Sequence, residues 1–262
     1  MTTFNGDCLE VMRDFSDNII DLLFCDLPYG ETNCKWDCKI NLETFWKEVN
    51  RICKLNCPMF FTTTARFGVE LINSNPKNFR YDLVWVKSAS VGFLNAKKMP
   101  MRKHELIYVF YRKLPYYDLS SHTHKFIGII DRNGQCYGKL DNKSEAYSYN
   151  PPLPISVIKT ELYNGTTRTE PIYRAEAGLY DPPLPNSILE IKSEKGKHST
   201  QKPVDLIKWI LKYYSKEGDT ILDPTMGSGT TLIACKQMNR KYIGIEKDEK
   251  IYKEAVERLS KI

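Results

Sequence analysis

Several things are missing from this 262-residue chain, and each absence removes a class of protein. It has no uninterrupted apolar run of about 18 residues, so no membrane-spanning helix is expected. Its first residues, Met1-Thr2-Thr3-Phe4-Asn5-Gly6-Asp7, lack the basic start and apolar stretch of a signal peptide, and a cytoplasmic location is expected. It has no tight CxxC pair. Its eight cysteines include Cys34/Cys38 and Cys53/Cys57 at a wider, matching spacing. Structural zinc generally uses closer pairs, so reduced thiols and no metal are expected. Cys25 and Cys235 sit in apolar runs and read as small core residues. His122 and His124 read as part of a polar loop. No internal repeat is visible.

What remains has ordinary globular composition, 42% hydrophobic and 27% charged, with a mild net charge of +6. The distribution of that charge is more informative than its sum. Lys97, Lys98, Arg102, Lys103, Arg112 and Lys113 face Glu105 alone in one short stretch. Such a stretch is either a solvated face or a phosphate-binding one.

Short apolar runs bounded by turn residues predict strands at 19–26, 58–63, 81–86, 105–111, 220–223 and 242–246. Helical spacing predicts helices at 45–55, 204–214, 230–238 and 250–259, with Pro203 suited to a first turn. Strand–helix alternation implies an α/β fold with a mostly parallel sheet covered by helices on both faces. From Pro115 to about Lys197 the texture changes. Tyr, Pro, Gly, Asn and Ser dominate, Pro151-Pro152-Leu153-Pro154 and Asp181-Pro182-Pro183-Leu184-Pro185 punctuate, and a loop-rich insertion is expected.

Two motifs carry the chemistry. Asp223-Pro224-Thr225-Met226-Gly227-Ser228-Gly229-Thr230-Thr231 closes one predicted strand and opens a helix. Ligands of parallel sheets bind beyond the carboxyl ends of strands, where glycines let a ligand approach the backbone. Glu246 ends the next strand, where a carboxylate can accept both hydrogen bonds of a ribose diol. A phosphate-cradling loop needs lysine where Thr230 stands, and a nicotinamide fingerprint needs glycine where Leu232 stands. A ribose-bearing cofactor without pyrophosphate fits, and S-adenosylmethionine is such a cofactor. A glycine turn used for packing alone is the bland alternative.

The second motif, Asp26-Leu27-Pro28-Tyr29, follows its own buried strand and should open at the same sheet edge. An exocyclic amine of a base is a poor nucleophile because its lone pair is delocalised. Asp26 and the Leu27 carbonyl could accept the two amino hydrogens, and Tyr29 could stack on the base. A simple turn remains the alternative for this motif alone.

With these residues in place, the chain resembles the amino-DNA methyltransferases of the DPPY type, in the β arrangement, where the catalytic motif precedes the cofactor glycine motif. The resemblance covers 1–113 and 198–262 and implies a Rossmann-like, circularly permuted catalytic domain there. His198-Ser199-Thr200-Gln201-Lys202-Pro203 is similar to the family's HxTQKP segment, which implies that His198, Thr200, Lys202 and Pro203 wrap the methionine end of the cofactor. Asn5-Gly6-Asp7-Cys8 is similar to its NGD segment, which implies that Asp7 touches the cofactor adenine or its amino group and that Cys8 belongs to the cofactor site. Asp26, Asp223, Pro224, Gly227, Ser228, Gly229, Thr230 and Glu246 complete the implied cofactor site. Gly92 to Pro100 is similar to a phage-like branch, and a restriction–modification setting is equally implied.

Leu27 departs from the family's usual proline, but its expected role uses a backbone carbonyl. The 114–197 segment occupies the slot of the family's target recognition region. The implied reaction is transfer of a methyl group from S-adenosylmethionine to N6 of adenine in double-stranded DNA, after base flipping. Cytosine N4 is the alternative target, although cytosine enzymes of this family usually carry serine in place of Asp26. A nicotinamide-dependent oxidoreductase is the alternative from another class. Lys97, Lys98, Arg102 and Lys103 are expected to hold DNA phosphates, and a homodimer is compatible with the family.

Overall fold

The computed structural model describes residues 2–30, 39–124, 180–194 and 201–262. It contains two compact units, one formed by Met1–Asp118 with Ser187–Ile262 and one by Leu119–Asn186. In chain order the elements are β1 (Thr2–Asn5), α1 (Cys8–Val11), β2 (Leu22–Cys25), α2 (Leu42–Ile52), β3 (Met59–Thr63), α3 (Ala65–Ser74), β4 (Phe79–Val91), β5 (Arg102–Phe110), β6 (Thr123–His124), β7 (Tyr180–Asp181), β8 (Ile188–Leu189), α4 (Val204–Tyr214), β9 (Thr220–Asp223), α5 (Thr230–Gln237), β10 (Lys241–Glu246) and α6 (Glu249–Ser260).

The larger unit is built on an eight-stranded sheet in the order β1-β10-β9-β2-β3-β5-β4-β8. The run from β1 to β3 is parallel throughout. β5 then runs antiparallel to both β3 and β4. Every residue of β2 and β3 is buried, as expected for strands covered on both faces.

Side-chain alternation along β3 shows the two layers directly. Phe61 meets Trp46 of α2 at 5.4 Å between ring centroids. Its neighbour Phe60 meets Tyr214 of α4 at 5.0 Å. Each ring is fully buried, which stabilises the fold by about 1.5–3 kcal/mol apiece. α1, α2 and α3 contribute Cys8, Phe45, Val49, Phe67 and Leu71 to the core with Phe61.

Local chemistry sets the helix starts. Asn41, Thr64 and Asp248 each accept a backbone N–H of their helix's first turn, which satisfies donors that have no intrahelical partner.

The structure departs from the sequence-based expectations in three places. β1, α1 and α3 form where no element was predicted. β4 extends well past Val86, with an irregularity that sets Val86↔His104 next to Val91↔Arg102. The ends of the loop-rich segment belong to the sheet unit. Tyr117 packs on Tyr213 and Tyr214, Asp118 N–H donates to the Tyr213 carbonyl, and β8 pairs parallel with β4. Within the smaller unit, β6 pairs with β7, and buried His122 has its Nδ1 2.8 Å from the Pro182 carbonyl. No helix among the described residues is long and apolar enough to cross a membrane.

Candidate active site at the carboxyl edge of the sheet

Because β1, β10, β9 and β2 are neighbours running the same way, their carboxyl ends form one edge. Asn5 pairs with Glu246 and Gly244 with Asp223. Asp7, Glu246, Asp223 and Asp26 therefore stand at the ends of four adjacent strands. Strands are spaced about 4.8 Å apart, so the edge concentrates negative charge.

The glycine loop lies at the middle of this edge. The Asp223 carboxylate accepts the Thr225 N–H at 3.2 Å and the Thr231 hydroxyl at 2.5 Å. Met226 N–H donates to the Ile245 carbonyl, and Gly227 N–H donates to Glu246 Oε2 at 3.0 Å. Gly227 has φ 48°, and a Cβ placed there would have no neighbour nearer than 4.0 Å, so the backbone borders open space. Gly229, at φ 76°, caps α5. Gly244 has the opposite role. A Cβ there would lie 2.6 Å from Met226 Sδ and 2.7 Å from Leu232, so its bareness seats the loop against β10. Pro224 is buried. Ser228 and Thr230 accept hydrogen bonds from Arg258 of α6.

The carboxylates differ in state. Burial pushes Asp223 up to about 7, and the charges of Asp26 and Glu246 add to this against the two hydrogen bonds it accepts. Burial also raises Glu246, which accepts Gly227 and Asp248 backbone N–H groups on its two oxygens. Each of those oxygens keeps a further lone pair. Burial alone would raise Asp7, but Lys247 at 3.0 Å and the Leu9 N–H at 2.9 Å hold it below the usual range. The neighbouring Cys8 thiol is pushed up to about 12 by burial and by Asp7.

Asp26 is surrounded by side chains. Oδ1 accepts from the Tyr29 hydroxyl at 2.7 Å and from the Thr62 hydroxyl. Oδ2 accepts from Lys202 Nζ at 2.6 Å. Burial opposes its ionisation, but Lys202's charge and the three hydrogen bonds prevail and hold Asp26 below the usual carboxylate range. Lys202 also pairs with Glu105 at 3.0 Å, and Glu105 with Lys87 at 2.7 Å. A chain of alternating charges thus runs Asp26–Lys202–Glu105–Lys87. Desolvation is outweighed by the two carboxylates, so the Lys202 ammonium is held firmly charged. On the backbone side, the Thr225 hydroxyl donates to the Asp26 carbonyl at 3.1 Å, which couples the catalytic motif to the glycine loop.

Tyr29 packs its ring on Phe67 at 5.1 Å. Burial and the Asp26 charge push its hydroxyl well above the usual phenol range, so it acts as a donor. Leu27 is buried, which explains in packing terms how an apolar residue serves there. Beside Tyr29 opens a cavity of about 510 Å³, also lined by Gly30, Lys39, Thr64, Arg66, Glu70 and Arg102. Its walls carry more positive than negative groups.

The structure gathers Asp7, Asp26, Tyr29, Lys202, Asp223, Gly227, Gly229 and Glu246 on this edge. Lys202 meets Asp26, a contact that its expected cofactor role did not include. His198 and Thr200 lie outside the described residues, as do Cys34 and Cys38. Cys53 and Cys57 are buried free thiols. Lys97, Lys98, Arg102 and Lys103 are exposed along the β4–β5 hairpin. Thr62, Glu105, Thr225 and Arg258 were missed. Thr62 sits one position past the β3 residue paired with Cys25, a placement that needs the strand pairing to be known.

The donor set can be tested against candidate ligands. A carboxylate-rich edge repels a pyrophosphate and suits a cation that carries hydroxyls and amino hydrogens. S-adenosylmethionine has a sulfonium, an ammonium, a ribose diol and an adenine amine, and the open space over Gly227 accepts a close approach.

A mostly parallel sheet with this glycine loop and this carboxylate–tyrosine motif, in permuted order, defines a Rossmann-like methyltransferase. Residues 20–257 match the model of the N6/N4 DNA methylase family, and the chain belongs to that family. It is 46% identical over 291 aligned positions to the type II methyltransferase M.HinfI of Haemophilus influenzae, covering 100% of this chain and 68% of that protein. A shorter match, 50% identical over 66 residues, is with the type II methyltransferase M.HindIII of H. influenzae Rd; it spans 25% of this chain and 21% of that protein. Among solved structures, the M1.HpyAVI–SAM complex superposes with a TM-score of 0.61 at 20% identity, covering 98% of each chain. At that identity the likeness shows the fold alone.

Proposed function

We propose that the chain transfers a methyl group from S-adenosylmethionine to the N6 amino group of adenine in double-stranded DNA, within a restriction–modification setting. The observation that carries this reading is Asp26. Its carboxyl is held below the usual range by partners that are all side chains, it lies beside the glycine loop, and one of those partners, Tyr29, lines a cavity of about 510 Å³. M.HinfI, similar along the whole chain, adds support.

When bound, the cofactor supplies an electrophilic methyl carbon. Asp7 and Glu246 hold the adenosine, with Glu246 accepting from the ribose hydroxyls. Cys8, Pro224, Gly227, Ser228, Gly229, Thr230 and Pro203 shape the walls, and Lys202 reaches toward the methionine end while paired with Asp26. Asp26 accepts one amino hydrogen of the extruded base and the Leu27 carbonyl the other, which frees the nitrogen lone pair. Tyr29 fixes the base plane. Bound at this edge, S-adenosylmethionine would supply its methyl group to that nitrogen and depart as S-adenosylhomocysteine. The extra proton on the methylated nitrogen passes to Asp26 or to water. Positioning does most of the work. Lys97, Lys98, Arg102 and Lys103 hold phosphates, and the 114–197 segment reads the target sequence.

Unmethylated bacterial DNA incubated with the protein and S-adenosylmethionine, then sequenced for modified bases, should show N6-methyladenine at one short sequence. N4-methylcytosine instead would overturn the target base, and unmodified DNA would overturn the reaction.

A further inference from the structure

The β4–β5 hairpin carries a tip with an unusual composition. Every residue from Ser88 to His104 is exposed. Phe93 is 80% exposed and Leu94 is 96% exposed, with Val91, Met99 and Met101 also open to solvent. Around them stand Lys97, Lys98, Arg102 and Lys103, and no acidic residue occurs between Ser88 and His104. Gly92, at φ 93°, turns the chain so that Phe93 and Leu94 lead the tip. A phosphate-binding loop has no use for large apolar groups held in water. A contact with a second copy through the same face would bring two wholly basic tips together. Apolar side chains framed by cations match a polyanion whose interior is a stack of apolar faces.

The base of the same hairpin reaches the active site. Arg102 lines the cavity beside Tyr29. Glu105, three residues along β5, pairs with Lys202, which holds Asp26. Three strand residues span about 10 Å, and Arg102 pairs with Val91, two residues before Phe93. The strand whose Glu105 holds Lys202 at Asp26 thus leads directly into the tip.

We propose that residues 91–101 are an apolar wedge that enters the DNA stack where the target base leaves, with Phe93 and Leu94 filling the vacated space while the neighbouring cations hold the flanking phosphates. The inference rests on the methyl-transfer reading above. Apolar wedges of this chemistry unstack base steps in other DNA-binding proteins. Here the wedge stabilises the extruded state, so its contribution should matter least when the target base is already unpaired.

The test uses the full chain and the double variant Phe93→Ser/Leu94→Ser, with melting temperature as the check on folding. The duplex carries the mapped site, once with a paired target and once with the target opposite an abasic position. Single-turnover methylation of the paired duplex should fall about tenfold or more, while the deficit on the unpaired target should shrink to within about twofold. The salt dependence of DNA binding should stay unchanged, since no cation is removed. With 2-aminopurine in place of the target adenine, the fluorescence rise given by the wild type should be largely lost. Equal deficits on the two duplexes, or no deficit, would overturn the wedge alone. A variant that becomes monomeric where the wild type sediments as a dimer without DNA would assign the tip to a second copy instead. A wild type that leaves adenine unmodified would overturn the methyl-transfer reading and the wedge with it.

Discussion

The two halves of the sheet edge hold their carboxylates in different ways. On the β1–β10–β9 side the partners are largely backbone amides. Glu246 accepts from Gly227 and Asp248 N–H groups, Asp7 from Leu9 N–H, and Asp223 from Thr225 N–H. On the β2–β3 side Asp26 accepts from Tyr29, Thr62 and Lys202 side chains. Backbone amides stay where the fold puts them, while side chains rotate on a far faster timescale than folding. The first half is suited to a ligand that must find a finished site. The second is suited to a carboxylate that exchanges its partners for the hydrogens of an incoming amine.

The strongest way to break this contrast is to remove one carboxylate from each half. Asp26→Ala should lower methyl transfer by about a hundredfold or more, the scale on which a positioned polar group acts at a reacting centre. It should leave S-adenosylmethionine affinity within about tenfold. Glu246→Ala should do the reverse. Cofactor affinity, read by calorimetry, should drop about tenfold or more, while turnover at saturating cofactor in a tritiated-methyl assay stays within about tenfold. Two variants with the same profile would erase the division.

The same contrast marks how much was readable in the sequence. β9 and α4 coincide with their predicted spans, because Pro203, Pro224 and the glycine turn punctuate them. The glycine loop and Glu246 are local to one strand–helix–strand unit, so their proximity follows from spacing. The surroundings of Asp26 do not. Glu105 reaches the edge only because β5 returns antiparallel, and Lys202 arrives from the far end of the chain. α3 was missed because Thr64, its cap, continues a threonine run that reads as strand. The sequence points to the Tyr29 ring as a stacking surface, and the hydrogen bond from its hydroxyl to Asp26 is an added contact that the linear pattern does not show. Nothing in a linear pattern shows which polar side chains will share a buried oxygen.

A smaller effect should come from Lys202, which sharpens the account of the side-chain half. Asp26 lies below its ordinary value in the fold. Its ionised form therefore stabilises the protein above the usual carboxylate range, and that contribution is lost as pH falls through the folded value. Lys202→Met removes the strongest influence lowering Asp26 and leaves burial to raise it. The acid limb of the kcat/KM profile, followed from about pH 5 to about pH 9, should move upward. Lys202→Arg should restore it in part. The melting temperature should fall, because Asp26 and Glu105 lose the cation they share. A variant with an unshifted acid limb would leave Lys202 a structural tie and nothing more.

The smallest effect tests the backbone half through Asp223. Its folded value, about 7, lies above its ordinary 3.8. A carboxylate raised in this way binds more protons folded than unfolded, so its ionisation lowers stability as pH climbs between those two values. A nearby positive charge reverses that bias. S-adenosylmethionine carries a sulfonium, whereas S-adenosylhomocysteine has a neutral thioether and is otherwise alike. If the reacting sulfur sits over this end of β9, binding of the sulfonium expels the proton from Asp223 and binding of the thioether does not. The affinity ratio of the two ligands should then rise by up to about tenfold between about pH 6 and about pH 8. Thr231→Val removes a hydroxyl that lowers Asp223, so the same rise should move to higher pH. Titration calorimetry with both ligands across that range gives the ratio directly. A flat ratio would take Asp223 away from the sulfur and leave it as the carboxylate that fixes the glycine loop through Thr225 and Thr231.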